Sequence, residues 1–224
     1  MDGELPQNDP VWRYKLRSLD TLTAEDINDL VFAERWDVPG CPRELTRIID
    51  PPLFIYGSVR SELPMDFHVI GSIYDISKDT GVSIKKDESG MPISTTYTLT
   101  VGRRKGAAAR GQWLMQMEKL EEAVRAAADR AHLDPNIPAS LITTEADPRA
   151  RRIRLNGFVQ HAPGEELGVH FQDENGDIFV ISDKESLPYG KALRITFRVV
   201  LCPVSDKEED GMFATGRIVN LGLV

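Results

Sequence analysis

From Pro52 onward the apolar residues tend to recur at every second position, in runs separated by short segments that carry glycine or proline. Side chains alternate between the two faces of a strand, so this period builds half-buried strands and not helices. The runs span Leu53 to Val59, Phe67 to Ser77, Val82 to Lys86 and Ser94 to Arg103. Later ones span Arg152 to His161, Gly168 to Gln172, Asp177 to Ile181, Ala192 to Val204 and Phe213 to Val224. Lys78-Asp-Thr-Gly81, Asp87-Glu-Ser-Gly90 and Asp173-Glu-Asn-Gly176 supply tight turns. The first two predict a meander of antiparallel neighbours, and the third a hairpin.

Helical spacing is confined to few places. Thr23-Ala-Glu-Asp26 has the form of a capping box, and Ile27, Leu30, Val31 and Phe32 follow at helical spacing, predicting a helix near residues 23–36. A short helix over Pro42 to Ile49 is also expected. Trp113, Met117, Leu120, Val124, Ala127 and Ala131 form a stripe that predicts one long central helix near residues 111–133, closed by Asp134-Pro-Asn-Ile-Pro138. Residues 1–20, with Pro6 and Pro10, read as an N-terminal arm anchored by Trp12, Tyr14, Leu16 and Leu19, and residues 21–224 as a single β-rich domain. The element order predicts a mainly β or α+β fold, either an antiparallel OB-like barrel or a sandwich, with N-terminal helices. Regularly alternating strands and helices are missing, which excludes a doubly wound sheet.

The chain has 224 residues, 41% of them hydrophobic, which is enough for one large core. Its formal net charge of −8 argues against coating nucleic acid through global charge, but a local basic stripe still acts within about a Debye length, ~8 Å. The two cysteines, Cys41 and Cys202, have no metal-ligand spacing, and His161 and His170 lack a nearby carboxylate pattern. No metal or cofactor is expected. Hydrolase motifs built on a histidine pair or a nucleophilic serine do not occur, and Gly102-Arg-Arg-Lys-Gly106 lacks the order of a nucleotide-phosphate loop, so no catalytic residue is assigned. No uninterrupted apolar run approaches the ~20 residues that cross a bilayer, and no secretory leader is recognisable. An intracellular, cytoplasmic protein without membrane contact is the resulting expectation.

Against this acidic background the segment Pro148-Arg-Ala-Arg-Arg-Ile-Arg-Leu-Asn-Gly-Phe-Val-Gln160 stands out. On a strand, Arg152, Arg154, Asn156 and Phe158 share one face, while Ile153, Leu155 and Val159 share the other. Cations beside a planar ring suit a phosphate and a stacked base, and equally suit an edge strand protected by charge. Arg194 and Arg198 alternate with Ile195, Phe197 and Val199 in another strand, and Arg103, Arg104 and Lys105 form a basic loop before the long helix. Arg103, Arg104, Lys105, Arg152, Arg154, Phe158, Arg194 and Arg198 are therefore the candidate nucleic-acid contacts. Whether they converge is left open by the pattern alone.

Tyr189-Gly-Lys-Ala-Leu-Arg-Ile-Thr-Phe-Arg-Val-Val-Leu, followed after an acidic turn by Gly211-Met-Phe-Ala-Thr-Gly-Arg-Ile-Val-Asn-Leu-Gly-Leu-Val, resembles the closing strands of phage and viral single-stranded DNA-binding proteins with an OB-type barrel. The resemblance covers about a third of the chain. It implies a barrel that cradles single-stranded nucleic acid, DNA ahead of RNA, in a replication setting. Proteins of the phage type often end in an acidic tail, whereas this sequence ends in the apolar run Arg217 to Val224, so contacts made through such a tail are not carried over. The competing reading is a viral coat or assembly subunit whose arm is exchanged between copies, giving self-association and a place in the virion.

Overall fold

The computed structural model describes residues 16–34, 53–57, 64–74, 80–134, 136–143, 151–161, 165–203 and 212–224. The short helix expected over 42–49, residues 1–15 of the expected arm, and Cys41 lie outside them. Among the described residues twelve strands form one sheet.

The first strands are β1 (Leu16–Ser18), β2 (Val31–Glu34), β3 (Leu53–Tyr56), β4 (Asp66–Ile73), β5 (Gly81–Lys86) and β6 (Pro92–Gly102). A second group follows: β7 (Ile142–Thr143), β8 (Arg152–Gln160), β9 (Val169–Gln172), β10 (Ile178–Ile181), β11 (Leu193–Pro203) and β12 (Met212–Leu223). The helices are α1 (Ala24–Asp29), α2 (Ala107–Arg130) and α3 (Pro138–Leu141), with a 3-10 turn at Leu19–Thr21.

Five of the strands close on themselves. β4 pairs with β6, β6 with β8, β8 with β12, β12 with β11, and β11 returns to β4. All of these contacts are antiparallel except β8–β12, which is parallel. This ring-like closure is consistent with the expected OB-like arrangement, while among the described residues β2, β5 and β10 each pair on one side only. Two seams are short: β4 meets β6 through Ser72–Gly102 and Ile73–Val101, and β12 meets β8 through Gly216–Leu155 and Arg217–Asn156. The ring is therefore irregular, with β3 and β2 continuing outward from β11 and the β9–β10 hairpin attached to β12.

Alternation places the core inside this ring. Phe67, Val69, Leu99, Val101, Ile153, Leu155, Ile195, Phe197 and Val199 are all fully buried. α2 closes one side with Trp113, Met117, Leu120, Val124 and Ala127, the stripe expected from sequence, and the Trp113 indole donates a 2.8 Å hydrogen bond to the Arg151 carbonyl. Each large side chain so removed from water contributes about 1.5–3 kcal/mol.

Three expectations need correction. α1 has the expected capping box, with the Asp26 N–H donating to Thr23 Oγ1 and the Thr23 N–H to Asp26 Oδ2, each at 3.1 Å, but it ends at Asp29 and not near residue 36. Leu30 turns extended and Val31–Glu34 pairs with β3, burying Phe32 in the main core and Val31 in a smaller cluster with Phe54, Tyr56 and Val200. A short apolar run serves helix or strand equally well, and here the pairing partner decides. α2 begins at Ala107 and not at 111, since three alanines are strong helix formers that outweigh Gly111. The expected meander is only half present: β5 and β6 form a hairpin, whereas β4 pairs with the far end of β6 and with β11.

The hairpin turns follow the sequence closely. Asp87 Oδ1 accepts from the Ser89 and Met91 N–H groups, Asp173 Oδ1 accepts from those of Asn175 and Asp177, and Gly90 and Gly176 take the left-handed conformation each turn requires. These hydrogen bonds pull both carboxyls below their ordinary range, led by the Ser89 hydroxyl at Asp87 and the Asp177 N–H at Asp173.

Candidate nucleic-acid interface

β8 is the strand on which the candidate residues were expected, and its alternation is as read. Ile153, Leu155 and Gly157 are buried, Arg154 is exposed, and Arg152, Asn156 and Phe158 are half-buried. Across the antiparallel β6, Thr96 stands opposite Phe158, Thr98 opposite Asn156 and Thr100 opposite Arg154; one strand further, Ser83 of β5 stands opposite Thr96. A groove of about 410 Å³ runs over these three strands, and Arg154, Asn156, Phe158, Thr96, Thr98 and Ser83 line it. Tyr97 forms part of its floor and lies across Gly157: a Cβ on Gly157 would sit 1.9 Å from Tyr97 Cζ. Burial pushes the Tyr97 phenol far above its ordinary pKa, with the Arg217 charge opposing.

Arg154 is the cation that lines the groove, and Arg152 lies two residues before it on β8. The Arg152 guanidinium stacks 5.0 Å from the centre of the Tyr74 ring, and the Tyr74 hydroxyl donates a 2.7 Å hydrogen bond to the Arg103 carbonyl. Gly102 leaves the room this needs, since a Cβ there would lie 2.7 Å from the Tyr74 ring. Tyr74 thus contacts both the Arg152 guanidinium and the Arg103 backbone carbonyl. Lys105 is exposed in the same connecting segment.

Other expected residues lie elsewhere. Arg104 donates to Gln112 Oε1 at 3.4 Å, and the Gln112 amide donates to Asp20 at 2.8 Å, which ties Arg104 toward α2. Arg198 is held by Asp66 through both Nε and Nη2, with side-chain exposures of only 13% and 10%. It is a structural cation. Arg194 lines a second groove of about 540 Å³ with Thr196, Asn220 and the β9–β10 turn, which shares no lining residue with the first.

Sequence reading missed Arg217, Thr96, Thr98 and Ser83. Arg217 sits between Arg198 and Asn156 in register, on the outer face opposite Ala214, Gly216 and Ile218. Its signal was the alternation of β12, and that of the threonines the alternation within Ser94 to Val101.

His161 and His170 lie with ring centres 6.2 Å apart, and His161 Nε2 is 2.7 Å from the buried Thr95 Oγ1. Among the described residues no three His, Cys, Asp or Glu side chains are grouped to hold a metal ion. Burial, then the neighbouring His170, lowers the His161 pKa below its ordinary 6.5 against the pull of Glu165. Burial, then Arg194, does the same at His68 against Asp20. Histidines depressed in the folded state stabilise it fully above pH 6.5, and this stability is lost as pH falls below that value, because the unfolded chain binds the protons first. Urea unfolding between about pH 7.5 and about pH 5 should show this loss, blunted in the His68→Gln/His161→Gln variant. Equal slopes in the two proteins would contradict it.

The strands thus form an irregular, OB-like ring with a polar groove, lined by Arg154, on the outer face of β6 and β8. No family model matches the chain, and no curated protein matches it in sequence. Solved structures to which the chain is weakly similar include gp2.5, a single-stranded DNA-binding protein encoded by bacteriophage T7, at 13% identity and a TM-score of 0.39, covering 71% of this chain and 85% of that one. The single-stranded DNA-binding protein from bacteriophage Enc34 is similar at 10% identity and a TM-score of 0.39, covering 86% and 88%. Its structure in complex with single-stranded DNA gives a TM-score of 0.33 at 10% identity, covering 86% and 94%. Among the described residues no helix is long and apolar enough to cross a membrane.

Proposed function

We propose that this protein binds single-stranded nucleic acid along the outer face of β6 and β8, without catalysing a reaction. One observation carries the reading: Arg152, Arg154 and Phe158 share the outer face of β8, with Arg154 and Phe158 lining the groove, on the second and third strands of the ring. OB barrels take oligonucleotides on that face, where cations meet phosphates and aromatic rings stack on bases. Arg152 and Arg154 supply the cations, and Phe158 is the stacking platform. Because the chain as a whole is acidic, attraction is local and steeply dependent on salt.

Fluorescence anisotropy with a labelled single-stranded DNA oligonucleotide at low salt tests the reading, with RNA and duplex DNA as comparators. Duplex is expected to bind less well, since a paired base offers no face to stack on Phe158. Replacing Arg152 and Arg154 together by Gln should weaken binding and shrink the salt slope by about 1.4, two phosphate contacts at ~0.7 each for single strands. Phe158→Ala should cost about 1–3 kcal/mol of binding with the slope preserved. Failure of the unmodified chain to bind single strands at low salt would remove the proposal.

A further inference from the structure

We infer that the second groove, over β11 and β12, is a further subsite of the same single-strand track and holds the strand's phosphates at Arg194. The inference rests on the binding reading above. Arg194 and Thr196 stand on the outer face of β11, with Gly222 opposite Arg194 and Asn220 opposite Thr196 on β12. Among the described residues the side chains of Arg194, Thr196 and Asn220 take no hydrogen-bond or ion-pair partner, so a guanidinium, a hydroxyl and an amide share one groove with their donors unspent. Arg198, on the same face of the same strand, is instead held by Asp66. Asp173 also lines the groove, but its carboxylate accepts from Asn175 and Asp177 within its own turn.

Phosphate oxygens suit these donors, since a guanidinium makes charge-assisted hydrogen bonds and a hydroxyl and an amide add neutral ones. The acidic Asp173 and Glu174 border the groove on the β9–β10 side, and their repulsion keeps phosphates toward β11, where Arg194 stands. The two grooves adjoin on the outer surface. β8 lines the first and pairs with β12, which lines the second, and the Asn156 and Thr215 side chains are hydrogen-bonded at 2.8 Å across that seam. Four interstrand spacings of about 4.8 Å lead from β5 to β11, so the two grooves together span about 20 Å, a path for a strand within the roughly 4–16 nucleotides that one OB fold covers. Gly222 keeps the floor of the second groove open. A Cβ there would meet only backbone oxygens, at 3.8 and 3.9 Å, so a larger side chain is compatible with the fold and would occupy the groove.

The decisive comparison is oligo-dT of about 4 nucleotides, enough for the first groove alone, against oligo-dT of about 12, which reaches both. Anisotropy titrations of the full chain should show the longer one binding about 100-fold more tightly, beyond the roughly 10-fold that its extra registers supply by counting. Gly222→Val should bring the ratio down to that counting factor and leave the affinity for the shorter oligonucleotide within about 2-fold. Arg194→Gln, a change at an exposed side chain that keeps the test open should Gly222→Val fail to fold, should weaken only the longer one and shrink its salt slope by about 0.7, one phosphate contact on a single strand. A ratio no larger than the counting factor in the unmodified chain, or an unchanged affinity for the longer oligonucleotide in either folded variant, overturns the second subsite while leaving binding in the first groove intact. Absence of binding to both oligonucleotides removes the groove reading itself, and this subsite with it.

Discussion

Replacing Arg198 by Met is expected to lower the unfolding free energy by about 3–5 kcal/mol, because it strands the Asp66 carboxylate in the protein without its partner. The pair joins β11 to β4 at one seam of the ring, with both Arg198 nitrogens directed at the two carboxylate oxygens and Asp66 only 7% exposed. Removing one member of a buried pair is the costly step. Removing both is not: Asp66→Leu with Arg198→Met should return to within about 1 kcal/mol of the parent, since an apolar pair avoids the desolvation of two charges. Urea midpoints with a constant m value measure both. A single replacement that costs under about 1 kcal/mol would show the pair to be solvated, as exposed ion pairs are. Arg198 would then return to the list of cations open to phosphate.

A methyl group at position 157 is the second large effect expected. Gly157→Ala should destabilise the chain by about 3 kcal/mol, the upper end of the cost of overpacking, because Tyr97 is only 7% exposed and has little room to withdraw. The added Cβ would meet three atoms of the phenol, Cζ, Cε2 and Oη, at 1.9, 2.2 and 2.4 Å. If steric conflict is the cause, shortening the partner should relieve it: Gly157→Ala with Tyr97→Leu is expected to be more stable than Gly157→Ala alone. The groove above the residue should lose its shape, so single-strand affinity is expected to fall in the single variant and recover in the double. A Gly157→Ala protein as stable as the parent would show that the ring yields at little cost.

The arginine-bearing strand shows how far a pattern of residues reaches. That Ile153 and Leu155 face inward while Arg154, Asn156 and Phe158 face outward was legible, because a period of two leaves a strand with one buried face no other choice. The two aspartate-glycine turns were legible for a similar reason: side-chain acceptors and positive φ act within four residues. The end of α1 was not. Val31 and Phe32 satisfy helical spacing, and only the neighbouring β3, whose own strand begins nearly twenty residues later, draws them into the sheet.

Convergence was harder still. Tyr74 lies between the Arg152 guanidinium and the Arg103 backbone carbonyl, in the room Gly102 leaves, while the Arg104 side chain is drawn toward Gln112 and α2. Arg194 and Arg198 have the same alternation as Arg152 and Arg154, yet one is tied to Asp66 and the other faces a separate groove. Local alternation, capping and turn chemistry were determined by the sequence alone, since each depends on residues a few positions apart. Which strands close the ring, which cations keep company with the groove, and which are consumed by a buried carboxylate were decided only in the tertiary structure, because charge and shape act between residues that the fold brings together from distant parts of the chain.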